Sequence, residues 1–282
     1  MDPMQPFFSI VIPTLNEEKF LPKLLKDLEK QKRSNFEIIV VDSMSEDDTR
    51  KVAEKFPSLP LSFIENERKN VSYQRNYGAN KARGAYLIFL DADSRISSGF
   101  TKKLENIINK KKGLFFVPAM KTDNPNTEPQ FIVDIVNLAF QISQNIGRPF
   151  VLGAGIIIEK KYFFTIGGFD EKLSFGEDYD LAIRSFNWGV RAKFLNEIKF
   201  TYSLRRIRRE GKLKAYYTFF LSTLQYIFNG KTEKKLFNYD MGGHLYDKKQ
   251  VKIKEKNLLD SFDSKNILQK IRRIFSELFI EE

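Results

Sequence analysis

Two aspartates follow an apolar run in the N-terminal part of the chain. The stretch YLIFLDADS, residues 86–94, contains Asp91 and Asp93 with one alanine between them. Carboxylates two residues apart in an extended chain point to the same side, where they repel each other unless they are protonated, well solvated or neutralised by a cation. Oxygen ligands with no histidine or cysteine nearby select hard ions, so the pair predicts a site for Mg²⁺ or Mn²⁺ that leaves room for phosphate oxygens. A D-x-D pattern alone is a weak signal, but the apolar strand that runs into it favours this interpretation.

The elements that position these aspartates are predicted to be alternating strands and helices. Strand-like runs FFSIVIP, FEIIVVD, LSFI and AYLIFLD are separated by helical stretches over residues 17–31, 47–56 and 70–83. This alternation predicts an α/β fold with a mostly parallel, Rossmann-like sheet flanked by helices. In such sheets ligands bind beyond the carboxyl ends of the strands.

Polar residues stand at those predicted strand ends. Thr14, Asn16 and Glu17 follow the first strand, and Asp42 ends the second. We therefore expect an acidic cluster at one edge of the sheet. The alternative for Asn16 and Asp42 is that each only caps a helix or turn.

Beyond residue 100 the pattern is looser. We expect a strand over 113–120, an amphipathic helix over 131–146, a strand that turns into a short helix over 151–169, a helix over 176–189 and a strand near 191–195. The helix expected over 131–146 carries polar residues at helical spacing, which predicts a surface or groove helix. They are Asp134, Asn137 and Gln141.

Composition bounds the class of protein and its partners. The 282 residues are 42% hydrophobic, which is ample for a core, and contain no cysteine, which excludes a disulfide framework and a thiolate metal site. We expect a cytoplasmic protein, because the N-terminus does not resemble a signal peptide and no apolar run of about 18 residues is present. The net charge of +11 calls for an anionic partner: nucleic acid, a membrane surface or a phosphate-bearing substrate.

Five motifs in order resemble those of a known family. They are IPTLNEE (12–18), VVDSMSEDDT (40–49), QRNYGANKARGAYLIFLDAD (74–93), GGFDE (167–171) and GEDYDL (176–181). The chain resembles a family 2 glycosyltransferase of the GT-A fold over roughly residues 7–195. The resemblance implies a nucleotide-diphosphate sugar donor of the UDP or GDP type, a divalent metal on its diphosphate, and inversion at the anomeric carbon.

The resemblance also implies which residues bind the donor. The loop Pro13, Thr14, Leu15, Asn16 and Glu17 matches nucleoside-binding positions. Asp42 matches the contact to the base, and Arg75 matches a position near phosphate or ribose, with a solvated helix charge as the alternative.

The D-x-D segment and the one histidine supply the candidate metal ligands. Asp93 matches the main metal ligand, while Asp91, separated from it by Ala92, is expected on ribose or on metal-bound water. Ser94 stands where many relatives carry another acid, which leaves the choice between Mn²⁺ and Mg²⁺ open. His244 is a candidate third ligand, with a structural role as the alternative.

Glu177 and Asp178 match the pair that contains the family's general base. A sugar hydroxyl is a poor nucleophile until its proton is removed, and we expect Asp178 to do this while Glu177 orients it or the acceptor. The alternative is that both acids only favour the positive end of a helix dipole. Gly153 and Ala154 resemble the segment that lines the donor sugar and acceptor, although a tight strand end also favours small residues.

The C-terminal part has a different composition. We expect a GT-A catalytic domain over 1–200, with a nucleotide-sugar-binding half over 7–100 and an acceptor-binding half over 101–200, followed by a basic, aromatic helical extension over 201–282.

Within that extension, residues 212–231 carry an aromatic run between basic ends, and four arginines stand just ahead: Arg205, Arg206, Arg208 and Arg209. They predict docking on an anionic membrane, where a lipid-linked acceptor would be presented at the inner face of the cytoplasmic membrane. The alternatives are a helix packed on the catalytic domain, or arginines that bind the donor diphosphate. The acceptor is a saccharide or lipid-linked glycan, and its identity stays open.

Other functions fit the sequence less well. A sugar-nucleotide nucleotidyltransferase calls for a Gly-rich, basic phosphate loop after the first strand, whereas PTLNEE is acidic. A nucleic-acid-binding protein more often spreads its basic residues over a face, so no nucleic acid is expected. An oxidoreductase of the dinucleotide-binding type is disfavoured because no G-x-G-x-x-G follows the first strand.

Overall fold

The computed structural model describes residues 5–32, 35–122, 128–145, 149, 151–173, 176–203 and 205. A mixed sheet of eight strands lies at the centre of this part of the chain. The strands are β1 (Phe8–Thr14), β2 (Phe36–Asp42), β3 (Leu61–Glu65), β4 (Tyr86–Phe89), β5 (Arg95–Ile96), β6 (Phe115–Lys121), β7 (Ile156–Glu159) and β8 (Lys193–Thr201). The helices are α1 (Leu21–Glu29), α2 (Thr49–Ala53), α3 (Val71–Lys81), α4 (Phe100–Lys111), α5 (Glu128–Asn145), α6 (Lys160–Thr165) and α7 (Glu177–Asn187). The sheet order is β3-β2-β1-β4-β7-β6-β8-β5.

The N-terminal half of the sheet is parallel and buried on both faces. β1 pairs in parallel with β2 and β4, and β2 pairs in parallel with β3. Successive side chains of a strand point to opposite faces, so Ile10 and Ile12 join the core that contains Leu24 of α1, while Val11 joins the core that contains Ala79 of α3. Two cores on one strand explain why its sequence is apolar without alternation.

The C-terminal half of the sheet adds antiparallel pairings. β7 is antiparallel to β4 and β6, and β5 is antiparallel to β8, whereas β6 and β8 are parallel. The described sheet therefore has four parallel and three antiparallel pairings, and the parallel character predicted from the sequence belongs mainly to its first half. The α/β architecture with flanking helices is confirmed.

Helix α4 and the short strand β5 were not predicted. The buried residues of α4 include Phe100, Leu104 and Ile108, four positions apart along one face. That spacing is typical of an amphipathic helix and was available in the sequence.

Two predictions fall outside the described residues. They concern His244 and the aromatic run 212–231, and both stay predictions. Among the helices that the structure does describe, none is long and apolar enough to cross a membrane.

Helix α5 has an exposed face that includes Asp134, but Asn137, one of the polar residues expected there, is buried. The Asn137 side chain is buried; its amide donates to the Met120 carbonyl at 2.8 Å and accepts from the Met120 N–H at 2.9 Å. The exposed face also carries the apolar side chains of Ile135, Leu138 and Ile142, which are 51%, 56% and 49% exposed. Asn137 turns inward because it satisfies backbone groups of β6 that would otherwise be buried without partners.

Asn137→Ala should destabilise the fold, because it leaves the N–H and the carbonyl of Met120 without their side-chain partner. We expect the free energy of unfolding to fall by about 2 kcal/mol or more in urea denaturation. Asn187→Ala, the same substitution at an exposed position of α7, is the control and should be near neutral. Equal stability of the two variants would mean that the Asn137 amide does not support β6.

Candidate active site

The polar ends of β1, β2 and β4 meet at one edge of the sheet. The parallel register pairs Thr14 with Asp42, and the D-x-D segment follows β4, which lies on the other side of β1. The structure therefore brings together the segments expected to converge there. Pro13 is partly buried, and Leu15 is buried in the same loop.

Asp42 organises the loops that follow β1 and β2. It is 1% exposed, and its carboxylate accepts hydrogen bonds from the Thr14 hydroxyl at 2.7 Å and from the Ser45 N–H and hydroxyl at 2.7 and 2.6 Å. The Ser45 hydroxyl in turn accepts from the Asn16 N–H at 2.7 Å. These bonds give Asp42 a role in holding the two loops together, and its contact with a nucleobase stays a prediction.

Two residues of these loops adopt the left-handed backbone region. Asn16 and Met44 both have a φ of 56°. The Asn16 side chain accepts from the Glu46 N–H at 2.7 Å, which ties the first loop to the second. Non-glycine residues in this region cost free energy and are concentrated at functional sites, where the surrounding contacts hold them.

Arg75 on α3 connects the D-x-D segment to the acidic turn of α7. Its side chain is 4% exposed; one guanidinium nitrogen lies 3.0 Å from Asp91 Oδ1, and another lies 2.8 Å from Glu177 Oε1. The guanidinium also packs on the Phe169 ring, 5.3 Å from its centroid. Burial opposes its charged form, but the charges of Asp91 and Glu177 outweigh this and raise the pKa of Arg75.

The residues on either side of Arg75 have connecting roles that sequence reasoning missed. The Gln74 amide donates to the carbonyls of Thr14 and Val41 at 2.9 and 2.7 Å, which joins α3 to the ends of β1 and β2. The Asn76 side chain donates to the Phe169 carbonyl at 2.8 Å and accepts from the Phe169 N–H at 2.9 Å. The motif QRN thus fixes three neighbouring segments, and only its arginine was identified as a candidate.

Gly153 lies against Arg75 and also binds Asp178. A Cβ on Gly153 would stand 2.7 Å from an Arg75 guanidinium nitrogen, closer than real contacts allow. The Gly153 N–H donates to Asp178 Oδ2 at 2.7 Å. The small residue predicted here is therefore required by a packed arginine. Ala154 is buried beside it.

Asp178 is buried at the start of α7 and has a strongly shifted pKa. Burial, together with the charge of Glu177, raises the pKa of Asp178 from 3.8 to about 7, against the opposing effect of Arg75 and of the N–H donors of Tyr179 and Gly153. A carboxylate with this pKa can exchange a proton near neutral pH.

The D-x-D segment and the loop after β1 contribute three acids to this edge of the sheet. We call these residues, Glu17, Asp91 and Asp93, the acidic cluster. Arg205 lies on it: its two terminal nitrogens donate to the two Glu17 oxygens at 3.0 and 3.1 Å, and one of them lies 2.9 Å from Asp93 Oδ2. Burial is the main cause that raises the pKa of Glu17 to about 7, and Arg205 opposes it. Burial likewise raises the pKa of Asp93.

Each of the two aspartates pairs with a different arginine, and a metal ion held by both stays a prediction. The Ser94 N–H donates to the Asp91 carbonyl at 2.9 Å, which makes the segment a turn, and Asp91 pairs with Arg75 while Asp93 pairs with Arg205. The prediction from the sequence assumed that both carboxylates point to the same side of an extended chain. The turn instead gives each carboxylate a different arginine partner.

The acidic cluster fits a divalent metal in donor chemistry. Its atoms are carboxylate oxygens, and a cation, the guanidinium of Arg205, already bridges two of its members. In the described part of the chain no group of three or more histidines, cysteines and acids is arranged to hold a metal. Proteins commonly bind Mg²⁺ through one or two carboxylates together with substrate phosphates, so these donor atoms suit it, and a metal here stays a prediction.

The comparison with family models identifies the chain. The model described as Glycosyl transferase family 2 matches residues 9–164, more than half of the 282 residues. The chain belongs to glycosyl transferase family 2. The match includes the loops after β1 and β2, the QRN and D-x-D segments and Gly153.

Curated relatives are similar over part of their length. A Haemophilus influenzae protein described as an uncharacterized glycosyltransferase is 33% identical over 189 residues, which is 62% of this chain and 60% of that protein. The poly(ribitol-phosphate) beta-N-acetylglucosaminyltransferase TarS of Staphylococcus aureus is 24% identical over 209 residues, 71% of this chain and 36% of TarS. The chain spans less than two thirds of the length of either relative.

Solved structures confirm the GT-A fold of this family 2 protein. A crystal structure of S. aureus TarS 1-349 in complex with UDP-GlcNAc has a TM-score of 0.57 and 25% identity, covering 70% of this chain and 58% of that one. The mannosyltransferase PcManGT from Pyrobaculum calidifontis, in complex with GDP-Man and Mn²⁺, has a TM-score of 0.58 and 20% identity, covering 72% and 58%. The second likeness concerns the fold alone.

Gly153→Ala should destabilise the protein, because the new methyl group would push the guanidinium of Arg75 away from its two acids. We expect a loss of about 1–3 kcal/mol in the free energy of unfolding. Gly99→Ala is the control, since a Cβ at Gly99 would meet only the Lys103 side chain at 3.8 Å; because Gly99 is the N-cap of α4, where glycine is preferred to alanine, we expect a loss of up to about 1 kcal/mol, less than at Gly153. Stability equal to the control would show that Arg75 is not held against Gly153.

Proposed function

We propose that the chain is a metal-dependent, inverting glycosyltransferase that moves a sugar from a nucleotide-diphosphate sugar to an acceptor hydroxyl. The observation that carries the proposal is the link, through the one buried guanidinium of Arg75, between the D-x-D segment and the acidic turn of α7. The carboxylate of Asp178, whose pKa burial raises to about 7, lies near enough to the same guanidinium for Arg75 to oppose that shift.

In this proposal Asp178 is the general base. It accepts the proton of the acceptor hydroxyl while the acceptor oxygen bonds to the anomeric carbon and the bond from that carbon to the donor phosphate oxygen breaks. The nucleoside diphosphate leaves with the electron pair. Glu177 is held by Arg75 and keeps the turn of α7 in place, and the N–H of Gly153 orients the Asp178 carboxylate. A single displacement of this kind inverts the anomeric centre.

The donor would bind at the edge formed by the loops after β1, β2 and β4. Asp93 and Asp91 would hold Mn²⁺ or Mg²⁺, which, when bound, neutralises the diphosphate and stabilises it as a leaving group. Asp91 is suited to this role because its side chain is 39% exposed although it pairs with Arg75. The crystal structure of TarS with UDP-GlcNAc supports a UDP-sugar as the first donor to test.

The acceptor and the location are proposals of their own. The name of TarS states a poly(ribitol-phosphate) acceptor for that protein, which supports testing glycan, polyol-phosphate and lipid-linked acceptors here.

Docking on an anionic membrane through residues 212–231, with the protein on the cytoplasmic face, stays a prediction from the sequence. Liposome co-sedimentation at low and high salt measures it, and failure to bind anionic vesicles at low salt would refute it.

Asp178→Asn should lower the rate of sugar transfer by about 10²–10⁴-fold, because the amide cannot take the acceptor proton. Since the base must be deprotonated, the wild-type rate should rise with pH through about 7, and the residual rate of the variant should lose that dependence. Asp48→Asn, at a side chain that is 57% exposed, is the control. A variant with near-normal turnover would move the base elsewhere, first to Glu177 and then to Asp180.

Nucleoside diphosphates should stabilise the protein only with a divalent metal. We expect UDP or GDP to raise the melting temperature in Mn²⁺ and to have little effect in EDTA, because a ligand that binds only the folded state stabilises it. Asp93→Ala should abolish the shift without unfolding the protein. The proposal fails if neither nucleotide shifts the melting temperature in Mn²⁺, or if the Asp93→Ala variant keeps the full shift.

A further inference from the structure

Arg205 occupies the acidic cluster although it lies far away in sequence. It stands 188 residues after Glu17, beyond the end of β8, yet its side chain is only 14% exposed and forms ion pairs with both Glu17 and Asp93. Its guanidinium also lies over the Phe20 ring, 4.1 Å from the centroid. Sequence reasoning placed this arginine on a membrane, whereas its contacts here are with acids of the candidate active site.

Arg205, like Arg75, pairs with acids from two different segments of the chain. Arg83, by contrast, pairs with one carboxylate, that of Glu37 near the start of β2, whereas Asp42 at the end of that strand belongs to the site. Arg205 instead bridges a carboxylate of the D-x-D segment and one of the loop after β1. Both carboxylates belong to the edge where the donor would bind.

We propose that Arg205 is an internal cation of the donor-free site, which leaves Asp93 when a divalent metal binds and then pairs with the donor diphosphate. The inference rests on the proposed function and adds to it a residue that controls when the acids become available. Asp93 then has two mutually exclusive partners, a guanidinium or a metal ion.

Electrostatics favours such an exchange. The buried carboxylates of Glu17 and Asp93 require a positive charge nearby, because leaving them unpaired in a poorly solvated site is costly. A metal at Asp93 supplies that charge and repels the guanidinium. The diphosphate brings new negative charge, and a planar guanidinium can bond to phosphate through two nitrogens at once.

Phe20 gives the guanidinium a fixed surface during this exchange. A cation over an aromatic face is attracted to the ring without being bound to one direction. Arg205 can therefore turn from carboxylate to phosphate while it stays on the same ring.

The exchange predicts opposite changes in two affinities when Arg205 is replaced. In Arg205→Gln, titration of the full chain with MnCl₂ alone should show binding that is tighter by about fivefold or more, because a competing cation has been removed. The affinity for UDP in saturating Mn²⁺ should fall by about tenfold or more, because a charge-assisted hydrogen bond to phosphate has been lost. Arg83→Gln, which removes an arginine paired with Glu37 near the start of β2, should change neither affinity.

Three outcomes would overturn the inference. An unchanged Mn²⁺ affinity would show that Arg205 does not compete with the metal, and a lower affinity for both Mn²⁺ and UDP would show that it only supports the site. Tighter Mn²⁺ binding with unchanged UDP binding would show that it does not pass to the diphosphate.

Two further measurements separate this inference from other failures. If Arg205→Gln does not fold, Arg205→Lys keeps the charge but has a single nitrogen, and it should change both affinities in the same directions to a smaller extent. The Mn²⁺ titration needs no nucleotide, so it tests the competition even if the wild-type protein transfers no sugar. Absence of transfer with a normal Mn²⁺ response would refute the proposed function alone.

Discussion

The buried guanidinium of Arg75 is the interaction on which the rest of the site depends. A charged group this deep in the protein is stable only when it is paired and hydrogen-bonded, and here the partners are Asp91, just after β4, and Glu177, at the start of α7. Because one side chain meets both acids, the end of β4 and the start of α7 are held in register. Gly153 completes the arrangement, since only a residue without a side chain leaves room for the arginine.

A second guanidinium divides the acids of the site into two groups. Arg75 neutralises Asp91 and Glu177, whereas Arg205 neutralises Glu17 and Asp93. The two groups meet at the D-x-D turn, whose two carboxylates are close enough for the charge of Asp91 to raise the pKa of Asp93. A change of partner at Asp93 therefore alters the electrostatic field at Asp91 and, through Arg75, at the acidic turn of α7.

The sequence predicted what depends on local pattern and missed what depends on distant contacts. Strands β1, β2 and β4 and the polar residues at their ends were recognisable because apolar runs and loop residues follow a short period. The burial of Asn137 on α5 was not predicted, since nothing near it in sequence indicates that its amide satisfies the backbone of β6. Arg205 was interpreted as part of a basic segment, because its partner Glu17 lies 188 residues away.

Under the proposed mechanism, the raised pKa values of the buried acids make activity and the stability of the folded protein change in opposite directions with pH. Burial raises the pKa of Asp178 from 3.8 and that of Glu17 from 4.5, in both cases to about 7. A carboxyl whose pKa is higher in the folded protein binds more protons there than in the unfolded chain, so its contribution to stability is complete below its ordinary pKa and is lost as the pH rises through about 7. In the proposed mechanism Asp178 must lose its proton to act as a base, so the pH range that would activate it is the range in which the folded state loses that contribution. Cations beside these carboxylates limit the loss, which gives a physical reason for two buried or nearly buried arginines at one edge of the sheet.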